Sequence, residues 1–206
     1  MYKRQLLGNP NVRPETQNEL EFGADLGFMR NRILFTASYY IKSIDDLLLR
    51  AAIPPSSGFT NQVVNAGEIQ NKGIEIGLET EIIRANDFSW ALGVNWWKNN
   101  SEVTRLDIPA FNTGGFAASL GAGRIEEGSS VTQLIGTIDP SLCNSDTDCS
   151  NVDPEGDGFM QFGDMEADFN FSWTNSIAWK GFELNWLLHW KPVSYTHLTL
   201  PTTPYV

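Results

Sequence analysis

Cysteine and histidine are nearly missing from this chain: 206 residues hold two of each, Cys143 with Cys149 and His189 with His197. Neither their spacing nor a pairing of the two types supports a tetrahedral zinc centre. Basic residues are also scarce. Fourteen Lys and Arg against 25 Asp and Glu leave a formal net charge of -11, and no basic cluster is visible that could neutralise a phosphate backbone, so nucleic acid is excluded as a partner. No apolar run approaches the roughly 18 residues of a membrane-spanning helix, and Leu47–Leu49 is bounded at once by Asp46 and Arg50. Nucleophile-elbow, HExxH and phosphate-loop patterns are absent. Gly121-Ala122-Gly123 lacks the strand-to-helix context of a dinucleotide site. No catalytic and no cofactor-binding residues are therefore expected, and the chain does not read as an enzyme.

Proline is missing from six particular segments, although the chain has ten prolines. Those same segments alternate with period two, the signature of strands with unlike faces. One face carries Leu20, Phe22, Ala24, Leu26 and Phe28; then Ile33, Phe35, Ala37, Tyr39 and Ile41; then Ile74, Ile76, Leu78 and Ile82. It continues with Phe88, Trp90, Leu92, Val94 and Trp96, with Phe169, Phe171, Trp173, Ile177 and Trp179, and with Phe182, Leu184, Trp186, Leu188 and Trp190. The other face carries Glu19, Glu21, Asp25, Glu75, Glu79, Glu81 and Glu183 among small polar residues. Freedom from proline means that each strand can donate a full ladder of hydrogen bonds.

Length and connection pattern predict where the apolar face goes. Each segment is about ten residues long, above the usual soluble strand and matched to a tilted strand crossing a bilayer. Met29–Arg32, Ala85–Asp87 and Lys180-Gly181 are tight turns, whereas Ser43–Ile69 and Ser101–Glu166 are expected as long polar loops. Short turns on one side and long loops on the other are the build of an outer-membrane barrel. The tryptophans fit an interfacial girdle. The carboxylates then face an aqueous lumen, because on the lipid face they would be prohibitively costly. Six strands cannot close a barrel, whose smallest membrane examples have about eight. The expected fold is thus all-β: about six antiparallel strands in three hairpins, a fragment of a large transmembrane β-barrel.

The termini are expected to be foreign. Tyr2-Lys3-Arg4-Gln5 back-translates to TATAAGAGACAG and Val193–His197 to GTCTCTTATACACAT, and the shared stretch is reverse-complementary. The sequence resembles the mosaic end of a transposon-based sequencing adapter. Residues 1–5 and 193–206 are assigned to that source, and 6–192 to a partial receptor barrel.

The order of motifs carries a family resemblance. Asn11–Thr16, Tyr39-Tyr40 with Asp45–Leu48, Asn65–Ile69, Asn71–Glu75, Phe88–Trp90, Asn99–Val103, Gly163-Asp164 with Asp168-Phe169, Asn175-Ser176 and Lys180–Leu184 together resemble the C-terminal part of SusC/RagA-like TonB-dependent outer-membrane receptors. The resemblance implies a plugged barrel in outer-membrane lipid, energised through the TonB complex and lidded by a SusD-like surface lipoprotein that hands over oligosaccharides or, in some members, peptides. The chain departs from the full family in lacking a plug, a TonB-contacting segment, a signal peptide and a terminal strand. A passive porin-like channel and a soluble carbohydrate-binding β-sandwich are the rival readings.

Two local patterns lie in the second long loop. Cys143 and Cys149, in an exported loop, suggest a small disulfide. Asp153, Glu155, Asp157, Gly158 and Asp164 fall at positions one, three, five, six and twelve of a calcium-loop template, with Glu at three and Asp at twelve as departures. Calcium is the one metal for which the sequence offers ligands, against the alternative of a solvated acidic turn.

Overall fold

The computed structural model describes residues 6–117, 121–137 and 158–192. Its largest unit is a six-stranded antiparallel sheet built from β1 (Thr16–Phe28), β2 (Ile33–Asp45), β5 (Gly67–Arg84), β6 (Phe88–Leu106), β11 (Asn170–Trp179) and β12 (Phe182–Trp190), in that spatial order. Every neighbour pair is antiparallel, so the three tight turns close the three expected hairpins. Backbone sterics explain the turns: Met29, Arg30, Asn31 and Lys180 take positive φ, and Gly181 follows at +86°. A left-handed conformation lets the chain reverse within a few residues and match strand twist.

Register converts the alternation into rows that cross the whole sheet. Ala24, Ala37, Ile76, Trp96, Phe171 and Trp190 are successive partners. One step towards the turns lie Leu26, Phe35, Leu78, Val94, Trp173 and Leu188. No second sheet covers these rows among the described residues, and Phe22, Leu184 and Trp190 are each 60% or more exposed. An uncovered apolar surface spanning six strands is unsustainable in water and is what a lipid-facing wall requires. β1 and β12 are the two edges of an open sheet, so the wall is a sector of a barrel rather than a closed one.

Three features depart from the alternation. A bulge between Glu81 and Ile83 sets Ile83 opposite Trp90, so Ile82 is the extra residue and the apolar row passes through its neighbour. Thr80 and Asn175 both occupy lipid-side rows, Thr80 opposite Leu92 and Asn175 between Leu92 and Trp186. Asn175 is only 4% exposed there and accepts a 3.1 Å hydrogen bond from the Trp90 indole N–H, so its polarity is partly answered within the wall.

The two long loops contain ordered strands. β5 and β6 run for 18 and 19 residues, about twice the roughly 9–11 residues that cross hydrocarbon, and extend past β11 and β12 on the side away from the turns. The segment between β2 and β5 forms a hairpin of β3 (Leu48–Ala52) and β4 (Asn61–Asn65). Between β6 and β11, β7 (Phe111–Ala117), β8 (Gly121–Ile125), β9 (Gln133–Thr137) and β10 (Phe159–Asp164) make a four-stranded sheet. These strands were obscured in the sequence because each is short, and register shifts interrupt the β7–β8 and β9–β10 pairings.

The small buried core sits at this projecting end. Ala66, Val103, Ala122, Ile135 and Ala167 are its apolar members, drawn from β6, the four-stranded sheet and the joining segments. Backbone bonds between Val103 N–H and Ser129 O at 2.9 Å and between Gly128 N–H and Val103 O at 2.8 Å dock the loop module on β6.

Candidate functional site

The face opposite the lipid rows is polar and bears all seven expected carboxylates. Glu19 pairs with Lys42, Glu21 with Tyr40, Asp25 with Thr36, Glu75 with both Ser38 and Trp97, and Glu79 with Leu34 and Gly93. Glu81 lies opposite Ala91 and Glu183 opposite Ala178. Among these seven, Glu81 has a cation within 4 Å, the Arg84 guanidinium at 2.6 Å, where both groups sit beside the Ala85–Asp87 turn. The wall therefore carries a negative field along its length.

The aromatic residues are not all on the lipid side. Trp97, next in sequence to the lipid-facing Trp96, turns to the polar face and meets His189 of β12 edge-on, 5.6 Å between ring centroids. Leu34 and Leu187 share that face with it, Leu187 at 60% exposure. Alternation alone could have placed Trp97, since residues 96 and 97 must point to opposite sides of one strand.

Several glycines keep this face low, each covered by a side chain from the neighbouring strand. A methyl group at Gly77 would lie 2.4 Å from the Thr36 hydroxyl, and one at Gly93 would lie 2.4 Å from the Thr174 hydroxyl, which donates to Gly93 O at 3.2 Å. At Gly73 the cover is the Tyr40 ring. Tyr40 reaches across β5 to β6, where its hydroxyl donates to Asn99 Oδ1 at 3.1 Å. Asn99 in turn donates to Glu166, whose other oxygen accepts from the Ser101 hydroxyl at 3.0 Å and from the Ser101 N–H at 3.3 Å. Glu166 thus ties the segment between β10 and β11 to β6 and, through Asn99, to Tyr40 of β2.

Among the concavities on the polar face, two lie along β1, β2, β5 and β6. One, of about 780 Å³, is bordered by Glu21, Asp25, Thr36, Glu75, Asn95 and Trp97. The other, of about 500 Å³ and nearer the loop module, is bordered by Glu19, Glu21, Lys42, Asn71 and Glu75 together with Tyr40 and Asn99. Both are lined by hydroxyl, amide and carboxylate groups that can hydrogen-bond a polar ligand.

Of the calcium-loop residues, Asp153, Glu155 and Asp157 lie outside the described residues, as do Cys143 and Cys149 of the expected disulfide. Asp164 is described, at the end of β10, outside the wall strands. Its Oδ1 accepts from the Thr132 hydroxyl at 2.5 Å and from the Glu166 N–H at 2.8 Å. Burial works to raise the Asp164 pKa; bonds from Ser130, Thr132 and the Glu166 and Met165 backbone outweigh it and hold the carboxyl below its ordinary value. In this geometry Asp164 staples the loop module to the strand-to-strand connection. The segments assigned to adapter sequence, 1–5 and 193–206, also lie outside the described residues.

Comparison with known proteins agrees with the architecture. Residues 2–123 match the family described as "TonB dependent receptor-like, beta-barrel". Similar curated proteins include TonB-dependent receptor P39 of Formosa agariphila, 34% identical over 63% of this chain and 12% of that protein. TonB-dependent receptor P3 of the same organism is 25% identical over 87% of this chain and 20% of its own length. TonB-dependent receptor SusC of Bacteroides thetaiotaomicron is 33% identical over 48% of this chain and 10% of its own. The chain thus spans a fifth or less of each of these relatives. The fold also matches the solved RagAB peptide transporter with a TM-score of 0.65 at 20% identity, over 89% of this chain and 22% of the other. With more than half of its residues matched and its six-stranded wall in place, the chain belongs to the TonB-dependent receptor β-barrel family.

Proposed function

We propose that this chain is part of an outer-membrane active transporter that imports oligosaccharides, or peptides, using energy delivered by the TonB complex and a SusD-like surface lipoprotein as partner. The observation that carries the reading is the division of one continuous sheet into an uncovered apolar face and a carboxylate-bearing face with polar concavities. The first needs lipid, and the second needs water and a polar cargo. Family membership supports energised rather than passive passage, and the name SusC among the relatives supports the lipoprotein partner.

Cargo would be captured by the projecting module and upper lumen, then released inward when TonB acts on a plug contributed by another part of the receptor. The chain's own residues bind and orient; no covalent step is required. Uptake of labelled oligosaccharides and peptides by cells carrying the complete receptor tests this. Uptake should stop when TonB is removed or the proton-motive force is collapsed, and the lipoprotein should co-purify. Uptake that persists without TonB would make the protein a passive pore.

A further inference from the structure

We propose that Tyr40 is a stacking platform for a neutral sugar ring at the loop-module end of the lumen. The inference rests on the transporter reading, because it requires the polar face to line an aqueous passage. It names a residue site and, between the oligosaccharides and peptides proposed as cargo, the neutral sugar.

The platform is built from four separated parts of the chain. Gly73 has no side chain, and a Cβ there would fall 2.2 Å from the Tyr40 ring, so the ring can lie over β5 only because residue 73 is glycine. The Tyr40 hydroxyl is fixed by Asn99 at 3.1 Å. Asn99 is held by Glu166, which Ser101 grips from the other side at 3.0 Å. A ring anchored through its hydroxyl gives up little further freedom when a ligand settles on it, which favours binding. Asn99 and Glu166 act as positioning residues, and Tyr40 is the group that touches ligand.

The surroundings select the ligand. An aromatic face is electron-rich and receives the C–H face of a pyranose, while hydroxyls at the ring edge need polar partners. Those partners are present, since the concavity of about 500 Å³ beside Tyr40 is bordered by Glu19, Glu21, Lys42, Asn71 and Glu75. Among the described residues of this wall no aliphatic side chain borders it, so its polar groups match the hydroxyls of a sugar better than the apolar side chains of a peptide. Three carboxylates against one lysine repel uronate and sulfate groups, so the class is a neutral oligosaccharide.

The test uses the complete receptor in detergent on an array of defined neutral, uronate-bearing and sulfated oligosaccharides, with heat-modifiable migration checking assembly. Wild type should bind neutral glycans. Tyr40→Ala should weaken that binding by at least about tenfold, and Tyr40→Phe, which keeps the ring, by no more than about threefold. Glu21→Lys, which keeps the Tyr40 ring and its hydrogen bond to Asn99 but reverses a charge opposite it, should shift preference towards uronate-bearing chains; this arm holds even if Tyr40→Ala fails to assemble. Full neutral-glycan binding by Tyr40→Ala overturns the proposal. So does an unchanged preference in Glu21→Lys, or a wild-type receptor that binds no neutral glycan. TonB-dependent uptake, measured separately on the same cells, shows whether the transporter reading survives such a failure.

Discussion

Gly73 and Tyr40 show how one missing side chain sets the local architecture. In Gly73→Ala the new methyl would meet the Tyr40 ring at 2.2 Å, so the ring must swing away and leave Asn99. The expected cost is about 1–3 kcal/mol of stability in the complete receptor, the usual range for a forced repacking, measured by urea titration of the folded fraction. Gly23→Ala is the control, because its nearest neighbours would lie at 3.7 and 3.8 Å, ordinary contact. Asn175→Ala should cost roughly 1 kcal/mol by leaving the Trp90 indole N–H unpaired beside lipid, and a Trp90→Phe background should abolish most of that cost in the same titration.

Asp164 gives the residue scale its pH dependence. Its pKa is depressed in the folded state, so its contribution is complete above the unfolded value of about 3.9 and is lost as pH falls through the folded value. Pepsin should therefore cut near residues 158–168 increasingly fast below about pH 4, beyond the enzyme's own pH response on an unfolded peptide. An Asp164→Asn variant should cut fast throughout and lose the pH dependence; equal pH dependence in both proteins would remove Asp164 from the explanation.

At the scale of elements, β5 presents opposite chemistries at adjacent residues. Leu78 lies between Phe35 and Val94 in a lipid row, whereas Glu79 lies between Leu34 and Gly93 on the luminal face. Leu78→Arg in the complete receptor should impair assembly by roughly 2–4 kcal/mol, as expected for a cation near the bilayer midplane. Glu79→Arg should assemble nearly normally. The check is the heat-modifiable fraction recovered from outer membranes, and equal behaviour of the two variants would reverse the face assignment. The same strand also marks the reach of periodicity, since bulges between Glu68 and Ile69 and between Glu81 and Ile83 each shift the register by one. Alternation identified Leu78 and Glu79 correctly but gave the row position of Ile83 to Ile82.

On the scale of the whole molecule, the open edges of β1 and β12 dominate. A sheet sector leaves two rows of backbone hydrogen-bonding groups unpaired, which water can satisfy and hydrocarbon cannot. The 206-residue chain by itself should therefore aggregate in detergent without a heat-modifiable band, while residues 6–192 within the complete receptor assemble; gel migration and far-ultraviolet circular dichroism distinguish the two. The loop module is the other global feature. Val103, Ala122, Ile135 and Ala167 give it a small apolar core, and Glu166 joins it to β6 of the wall.

The sequence by itself determined the strands of the wall, the three tight turns and the division into lipid and luminal faces, because period-two alternation is imposed by local backbone geometry and is visible one strand at a time. It also placed the luminal carboxylates, since charge next to lipid is excluded whatever the partner strands are. Only the tertiary structure decided what crosses from strand to strand. Tyr40, Gly73, Asn99 and Glu166 are separated by up to 126 positions in the sequence and become a unit only when register sets them side by side. The strands of the loop module were hidden for the same reason: short, glycine-rich segments have weak local preference, and their stability comes from a core assembled out of distant residues.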